Sequence, residues 1–420
     1  MSAHVFVDML RYQVFDKGEV SLNDHSVDVR LKHQVAMTKQ GIDDKFSASS
    51  VEFVRTLLEQ QLSNQICRSI EVENYKRFSA VLIKDSTRFQ LPANLKEAYP
   101  GSGGSASGAG VHIQFEFDLL SGKVADLHVS DALQQDCTDA IETVEQVQVG
   151  SLVLRDLGYF DMDVLKQMDN KGAYYISRLK SKVKIYVRKQ DTYQLLDLQA
   201  VKEAMQRQML RYQELSVYIG EQKKLPVRLV VECMSEQEVG KRLQKAKREA
   251  RKKGRMLSDQ YKTYASVNLF ISNAPATWLS TPQLHATYRL RWQIELRFKI
   301  WKSYLHIHAV RKMKQHRFET YLYATLLFIM LYWEVTAGLL AMAHSQGGKM
   351  LSVIKCSKAI VLSCVQLHEA LFHSMEKLQY YLKMLYETGI DQLLLEKRKG
   401  HLSQEEILFQ REFCMVYFDN

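Results

Sequence analysis

Four side chains of unlike chemistry fall within fifteen positions: Tyr288, Arg291, Glu295 and Lys302. On a helix turning about 100° per residue they share a stripe roughly 60° wide. Arginine offers phosphate a planar fork and lysine a point charge, while a glutamate can ligate a divalent cation. Leu290, Ile294, Phe298, Trp301 and Leu305 lie beside the stripe as a packing face. A solvated helix face shows a similar mixture, so the stripe alone leaves both readings open.

Two aspartates widen the set. Asp85 stands near the end of the apolar run FSAVLIKDST (78–87), and Asp156 follows the apolar part of GSLVLRDLGYF (150–160). Each run reads as a buried strand ending in an aspartate, which delivers a carboxylate to a sheet edge. Taken singly, either is a turn-forming or helix-capping residue. Paired carboxylates met by a glutamate from a helix are the hard oxygen donors that Mg²⁺ takes. Two such cations can activate a water or a 3′-hydroxyl and stabilise the leaving oxygen.

The elements that must position these groups follow from patterning. Residues 1 to about 75 read as short helices, the second amphipathic one capped by Ser47 or Ser49. GSGGSASGAG (101–110) is a small-residue loop, and 111–130 alternates and turns at Ser121–Gly122 as a hairpin. Residues 131–147 read as helical, followed by the 150–160 strand, a helix, and the strand AYYISRL (173–179). Asp118, Asp126, Asp131 and Asp136 are assigned to turns and caps. Residues 180–265 behave as an insertion, with strands KVKIYVR, YQLLDL, ELSVYIG and PVRLVVECM and two helical pieces. After the strand SVNLFISN (266–273), Ser280-Thr281-Pro282 announces one helix from 282 to about 304. Helices fill the remainder. Tyr321 to Ala343 is long and apolar enough to span a membrane, but Glu334 at its centre would cost about 2.5–3.5 kcal/mol there. A buried core helix is expected instead.

The 420 residues are 46% hydrophobic and 25% charged, which excludes a disordered or collagen-like chain. Lys plus Arg (57) exceeds Asp plus Glu (47) by 10, a balance that favours a polyanionic partner. Much of the excess sits in KRLQKAKREARKKGR (241–255), with nine basic residues and one glutamate. Lys245, Lys247, Arg251 and Lys252 there suit a phosphate-backbone contact, which positions DNA without reading its sequence; a solvated lysine-rich helix is the alternative. The six cysteines form no CxxC pair, so reduced thiols in a cytosolic protein are expected rather than a disulfide framework or zinc knuckle. Asp8 interrupts the apolar start, so no signal peptide is expected.

At Tyr288, Arg291, Glu295 and Lys302 the chain resembles the Y-x2-R-x3-E-x6-K signature of bacterial insertion-sequence transposases of the DDE type, in the insertion-sequence-four family. IKDST and VLRDLGYFD look like that family's two aspartate motifs. PGSGGSASGAGVHIQFEFDLLSG is similar to its glycine-rich stretch and hairpin, and MTKQGIDDKFS with SVEFVRTLLEQ (37–59) to its N-terminal helical region. The resemblance covers essentially the whole chain and is firmest between about 35 and 305.

It implies an α/β fold: an RNase H-like core with a mostly β insertion between the second aspartate and the glutamate, plus N- and C-terminal helical regions. The implied division is 1–75 for DNA binding, 76–180 and 266–310 for the catalytic core, 181–265 for the insertion, and 311–420 for a helical region suited to dimerisation. Asp85, Asp156 and Glu295 are implied as the catalytic ligands of two Mg²⁺, with Mn²⁺ able to substitute. Tyr288, Arg291 and Lys302 would contact phosphates near the scissile end. The implied partners are the terminal inverted repeats and target DNA, with a homodimer in the end-paired complex, no membrane, and work in the bacterial cytoplasm at the nucleoid. Relatives that form a hairpin intermediate place a tryptophan of the insertion against a flipped base. Residues 181–265 contain none; Trp278 and Trp292 lie nearby, and Tyr261 and Tyr264 are the aromatic residues at hand. An RNase H-like nuclease or resolvase, and a non-catalytic DNA-binding derivative, are the alternatives.

Overall fold

A computed structural model describes all residues except 16–19, 68–71, 104–106, 223, 253, 397–406 and 409–420. Part of the glycine-rich loop, Lys253 of the basic run, Cys414 and most of the C-terminal end therefore lie outside the described residues.

The helices are α1 (Ala3–Phe15), α2 (Leu22–His33), α3 (Lys39–Asp43), α4 (Ala48–Ser63), α5 (Asp136–Thr143), α6 (Met162–Asn170), α7 (Leu198–Arg207) and α8 (Glu236–Lys252). After them come α9 (Asp259–Ala265), α10 (Thr281–Arg289), α11 (Trp292–Ser303), α12 (Gln315–Gly347), α13 (Val353–Leu362), α14 (Cys364–His373) and α15 (Met375–Gln392). The strands are β1 (Val81–Gln90), β2 (Gly110–Asp118), β3 (Val124–Asp131), β4 (Leu152–Arg155) and β5 (Tyr174–Arg178), then β6 (Ile185–Lys189), β7 (Thr192–Leu195), β8 (Tyr212–Ile219), β9 (Leu225–Cys233) and β10 (Val267–Ser272). The chain divides into two compact units, one of Met1–Ile70, Asp85–Gln134 and Trp292–Lys399, the other of Glu71–Lys84, Gln135–Arg291 and Gly400–Asn420.

In the first unit β2 is buried along its whole length and pairs antiparallel with β3, from Val111 opposite Asp131 to Phe117 opposite Val124. The hairpin turns at Gly122, whose φ of 75° is open to glycine at no steric cost and where a Cβ would come 3.1 Å from that of Ala337. On the apolar face of β2, Phe115 meets Trp301 of α11 with ring centroids 4.9 Å apart. α12 is the spine: Phe318, Leu322, Leu326 and Phe328 are buried, and Ser50 of α4 is hydrogen-bonded to Thr320 at 3.0 Å. The helix is long and apolar enough to cross a membrane by length and composition, and half of its most apolar window is buried within the protein. Glu334 of this helix accepts a hydrogen bond from the Ile66 amide at 3.3 Å.

In the second unit the first four residues of β1 run parallel to β4, from Val81 opposite Leu152 to Lys84 opposite Arg155. β4 is parallel to β5, and β10, β9, β8, β6 and β7 continue outward in antiparallel pairing. One continuous apolar core, including Leu82, Val153, Tyr175, Val217, Leu229, Val231 and Ile271, underlies β1, β4, β5, β10, β9 and β8, while β7 at the edge is exposed.

Several sequence expectations are corrected here. The helix expected from 282 to 304 is two helices, with Leu290 and Arg291 in the turn between them. The Leu290 and Arg291 amides donate to Thr287 and Tyr288 carbonyls three residues back, at 2.9 and 3.1 Å. The stripe therefore does not run along one helix axis. β1 does not end at Asp85 but continues to Gln90, because Thr87 and Phe89 are buried in alternation with exposed Arg88 and Gln90. The helix expected over 131–147 begins only at Asp136, since β3 runs to Asp131, whose carboxylate accepts from the Leu133 amide at 2.8 Å. Among the described residues, 181–265 carry three helices rather than two.

Candidate active site

Asp156 immediately follows β4 and opens a short 3₁₀ turn, Leu157–Tyr159, with extended backbone at φ −73° and ψ 167°. Its side chain is 46% exposed. Gly158 lets the turn lie against the start of α5, because a Cβ there would meet the Asp136 carboxylate at 2.9 Å. One strand over, Lys84 is fully buried and ion-paired with Asp139 of α5 at 2.7 Å, with a second bond to Thr143 at 3.2 Å. A buried charge needs such a partner, and this pair pins β1 directly before Asp85.

α10 begins at a capping box formed by Ser280 and Gln283 with proline in its first turn. Its entry is clamped by β8 and β9. Glu214 takes two bonds from Arg228, at 2.8 and 2.7 Å, and Arg228 also donates to the carbonyls of Ala274 and Leu279. The Arg228 bonds hold the Glu214 carboxyl below its ordinary range. Near the end of α10, Tyr288 is buried; its hydroxyl donates to the Arg155 carbonyl at 3.4 Å and its ring packs on Phe270 at 5.2 Å. Burial pushes the Tyr288 phenol up to about 12, with Asp156 adding to the rise and Arg291 opposing it. In the turn after α10, the Nε of Arg291 lies 3.9 Å from an Asp156 oxygen. The second unit thus brings Tyr288, Arg291 and Asp156 together.

The first unit carries Asp85, Glu295 and Lys302. Asp85 sits within β1, half-buried, and accepts from the Ser86 amide at 2.8 Å. Glu295 is half-buried in the first turn of α11, whose packing face of Ile294, Phe298 and Trp301 is buried. Lys302, in the last turn, donates to the Arg88 carbonyl at 3.3 Å, and partial burial lowers its pKa. Arg297 on the same helix was not anticipated. It is buried with its guanidinium 3.5 Å from the Phe117 ring centroid and 4.1 Å from that of Trp333. Its position at the border of the apolar face was the one available signal. Among the described residues, no three His, Cys, Asp or Glu side chains gather as a metal cluster.

The basic run forms most of α8, which has no buried residue. Lys245, Lys247, Arg251 and Lys252 are all exposed. Arg242 instead reaches β10, donating to the Val267 carbonyl at 3.3 Å and to Asn268 at 2.6 Å. Of the aromatic residues within and near 181–265, Trp278 packs against Phe78 and Tyr174, and Tyr264 donates to the Leu179 carbonyl. Tyr261 and Trp292 are 38% and 55% exposed.

Comparison with known proteins bears on what this arrangement is for. The family described as transposase DDE domain matches residues 76–331. The transposase for insertion sequence element IS231F of Bacillus thuringiensis subsp. israelensis is 33% identical over 391 residues, covering 89% of this chain and 80% of the relative. That for IS231E of Bacillus thuringiensis subsp. finitimus is 32% identical with the same coverage. The transposase for IS1151 of Clostridium perfringens is 29% identical, over 77% of this chain and 72% of the relative.

Proposed function

Because this chain belongs to the DDE transposases of insertion sequences, enzymes that cleave and transfer DNA with divalent metal, we propose that Asp85, Asp156 and Glu295 are its catalytic carboxylates. The observation that carries this assignment is the seat of Arg291, 3.9 Å from Asp156 in the turn that follows Tyr288.

The donor chemistry fits. Three carboxylates, none of them fully buried, supply hard oxygens from β1, from the end of β4 and from the first turn of α11. They would hold two Mg²⁺, with Mn²⁺ as a substitute. When bound, such cations activate a water or a terminal 3′-hydroxyl and stabilise the departing oxygen. Arg291 orients the Asp156 carboxylate and meets a phosphate as a planar fork. The Tyr288 phenol stays protonated at neutral pH, so it acts as a neutral hydrogen-bond donor near Asp156 and Arg291. Lys302 supplies a point charge at the far end of α11. Lys245, Lys247, Arg251 and Lys252 bind backbone phosphates along α8.

The finer assignments rest on the same reading. The insertion-sequence-four family is supported by the Tyr288, Arg291, Glu295 and Lys302 spacing. An RNase H-like core is supported by the β2–β3 hairpin and by the parallel β1, β4 and β5. In that division 76–180 and 266–310 are core, 181–265 the insertion, 1–75 a DNA-binding region and 311–420 a dimerising one. The substrates are terminal inverted repeats and target DNA, paired by a homodimer in the bacterial cytoplasm at the nucleoid. A strand-transfer assay on duplexes bearing the inverted repeats that flank the coding region, with Mg²⁺, tests the whole. Joined products support transposition; cutting without joining would indicate a nuclease or resolvase, and neither a DNA-binding derivative.

A further inference from the structure

Within the second unit a chain of polar contacts leaves α8 and ends beside Tyr288. Arg242 of α8 donates to the Asn268 amide oxygen on β10 at 2.6 Å. The Asn268 amide nitrogen donates to Glu232 Oε2 on β9 at 2.7 Å. The same oxygen lies 3.3 Å from Nε2 of His285 on α10, and His285 Nδ1 lies 3.1 Å from the Tyr212 hydroxyl on β8. Arg211 closes the set with a bond to Glu232 Oε1 at 3.1 Å. Phe270 on β10 packs at a tilt against both His285 and Tyr288, with ring centroids 5.2 Å away in each case.

The chemistry gives this chain a direction. Burial lowers the His285 pKa, so its ring is neutral at neutral pH. A neutral imidazole has one donor and one acceptor. Nε2–H therefore donates to the Glu232 carboxylate, and Nδ1 accepts from the Tyr212 hydroxyl. Glu232 is 4% exposed, so each of its bonds is made where water cannot replace it. Any shift of Arg242 is felt at Asn268 and Glu232, and a shift of Glu232 is felt at the ring one turn before Tyr288.

We propose that Glu232 and Asn268 are positioning residues that couple DNA engagement on α8 to the placement of Tyr288 and Arg291 on and after α10. This rests on the assignment of α8 as a DNA-contact surface. Duplex phosphates drawn to the exposed cations of α8 hold that helix, and the Arg242–Asn268–Glu232–His285 relay transmits the restraint to α10.

Hydrogen–deuterium exchange of the full chain, with and without a random-sequence 30-base-pair duplex at low salt, tests it. In the unsubstituted protein, DNA is expected to slow exchange in both α8 and α10. In Asn268→Leu, which removes the amide from the relay and retains a strand-compatible side chain, slowing in α8 should persist while that in α10 is lost. Glu232→Gln guards against a folding defect: it is nearly isosteric, removes the carboxylate charge that holds His285 and Arg211, and should reduce the α10 response without changing exchange in the DNA-free protein. Slowing of α8 alone in the unsubstituted protein would overturn the relay and leave the DNA-contact assignment standing. An α10 response that survives both substitutions would do the same. No slowing in either helix would overturn both.

Discussion

Arg291 places its Nε 3.9 Å from the Asp156 carboxylate, although Asp156 follows a parallel strand and Arg291 lies in a turn 135 positions further on. Both residues belong to the second unit, where Arg291 sits in the turn that closes α10. A guanidinium carries five N–H donors in a planar fork, a group suited to meeting a carboxylate and a phosphate together.

Arg291→Ala should therefore slow DNA cleavage by about 100-fold, the scale of losing one preorganised charged donor. Arg291→Lys should recover only part of that, because an ammonium is a point charge and cannot fork. Single-turnover rates on end-bearing duplex measure both; full activity in Arg291→Lys would remove the forked contact from the account.

The exposed cations of α8 give a salt prediction. Replacing Lys245, Lys247, Arg251 and Lys252 together with alanine removes up to four phosphate contacts, and the slope of log affinity against log salt should flatten by about 3.6. The loss should be alike across sequences, since backbone contacts carry no base information. An unchanged slope would return α8 to the status of a solvated helix.

The buried Lys84–Asp139 pair should be costly to halve. Asp139→Leu leaves the Lys84 charge buried without its counter-ion and should cost about 3–5 kcal/mol. Adding Lys84→Met should return most of that stability, because an apolar pair of similar volume can replace a buried ion pair. Denaturant midpoints of the two variants would show it. A single variant as stable as the parent would mean that the pair does not anchor β1.

Much of the strand and hairpin layout was legible because alternation and apolar runs carry it: β2 and β3 fall where 111–130 alternates, and β4 and β5 where the apolar runs stand. The break at Leu290–Arg291 was not legible, for no glycine or proline marks it and Tyr288, Leu290 and Ile294 are all buried across it. Asp85 read as a strand end because Asp-Ser-Thr is turn-like, whereas the burial of Thr87 and Phe89 extends the strand. The positions proposed to carry the chemistry were named from motif spacing. What holds them could not be named so, because the relay partners are 26, 36 and 73 residues apart, and pairing over such separations leaves no periodic trace.

His25 supplies a pH test in the first unit. It is fully buried, bonded to the Tyr321 hydroxyl at 3.0 Å, and burial lowers its pKa to about 4. The unfolded chain, with the ordinary value near 6.5, binds the proton more readily. Stability is thus fully present above about 6.5 and is lost as pH falls towards 4, by roughly 3 kcal/mol from this group. Melting temperature against pH should be flatter over that window in His25→Gln, which keeps a partner for Tyr321 but does not titrate. Equal slopes would place the acid sensitivity elsewhere.

The most direct test of the catalytic assignment is single-turnover cleavage of end-bearing duplex in Mg²⁺ by Asp85→Ala, Asp156→Ala and Glu295→Ala, with DNA affinity measured on the same preparations. Losing one carboxylate misplaces a cation that must stabilise the attacking or leaving oxygen. Each variant should bind DNA within about twofold of the parent, since few of the backbone contacts that set affinity are touched, and should yield no cleaved product. Near-parental cleavage by any one of the three would contradict its place in the site.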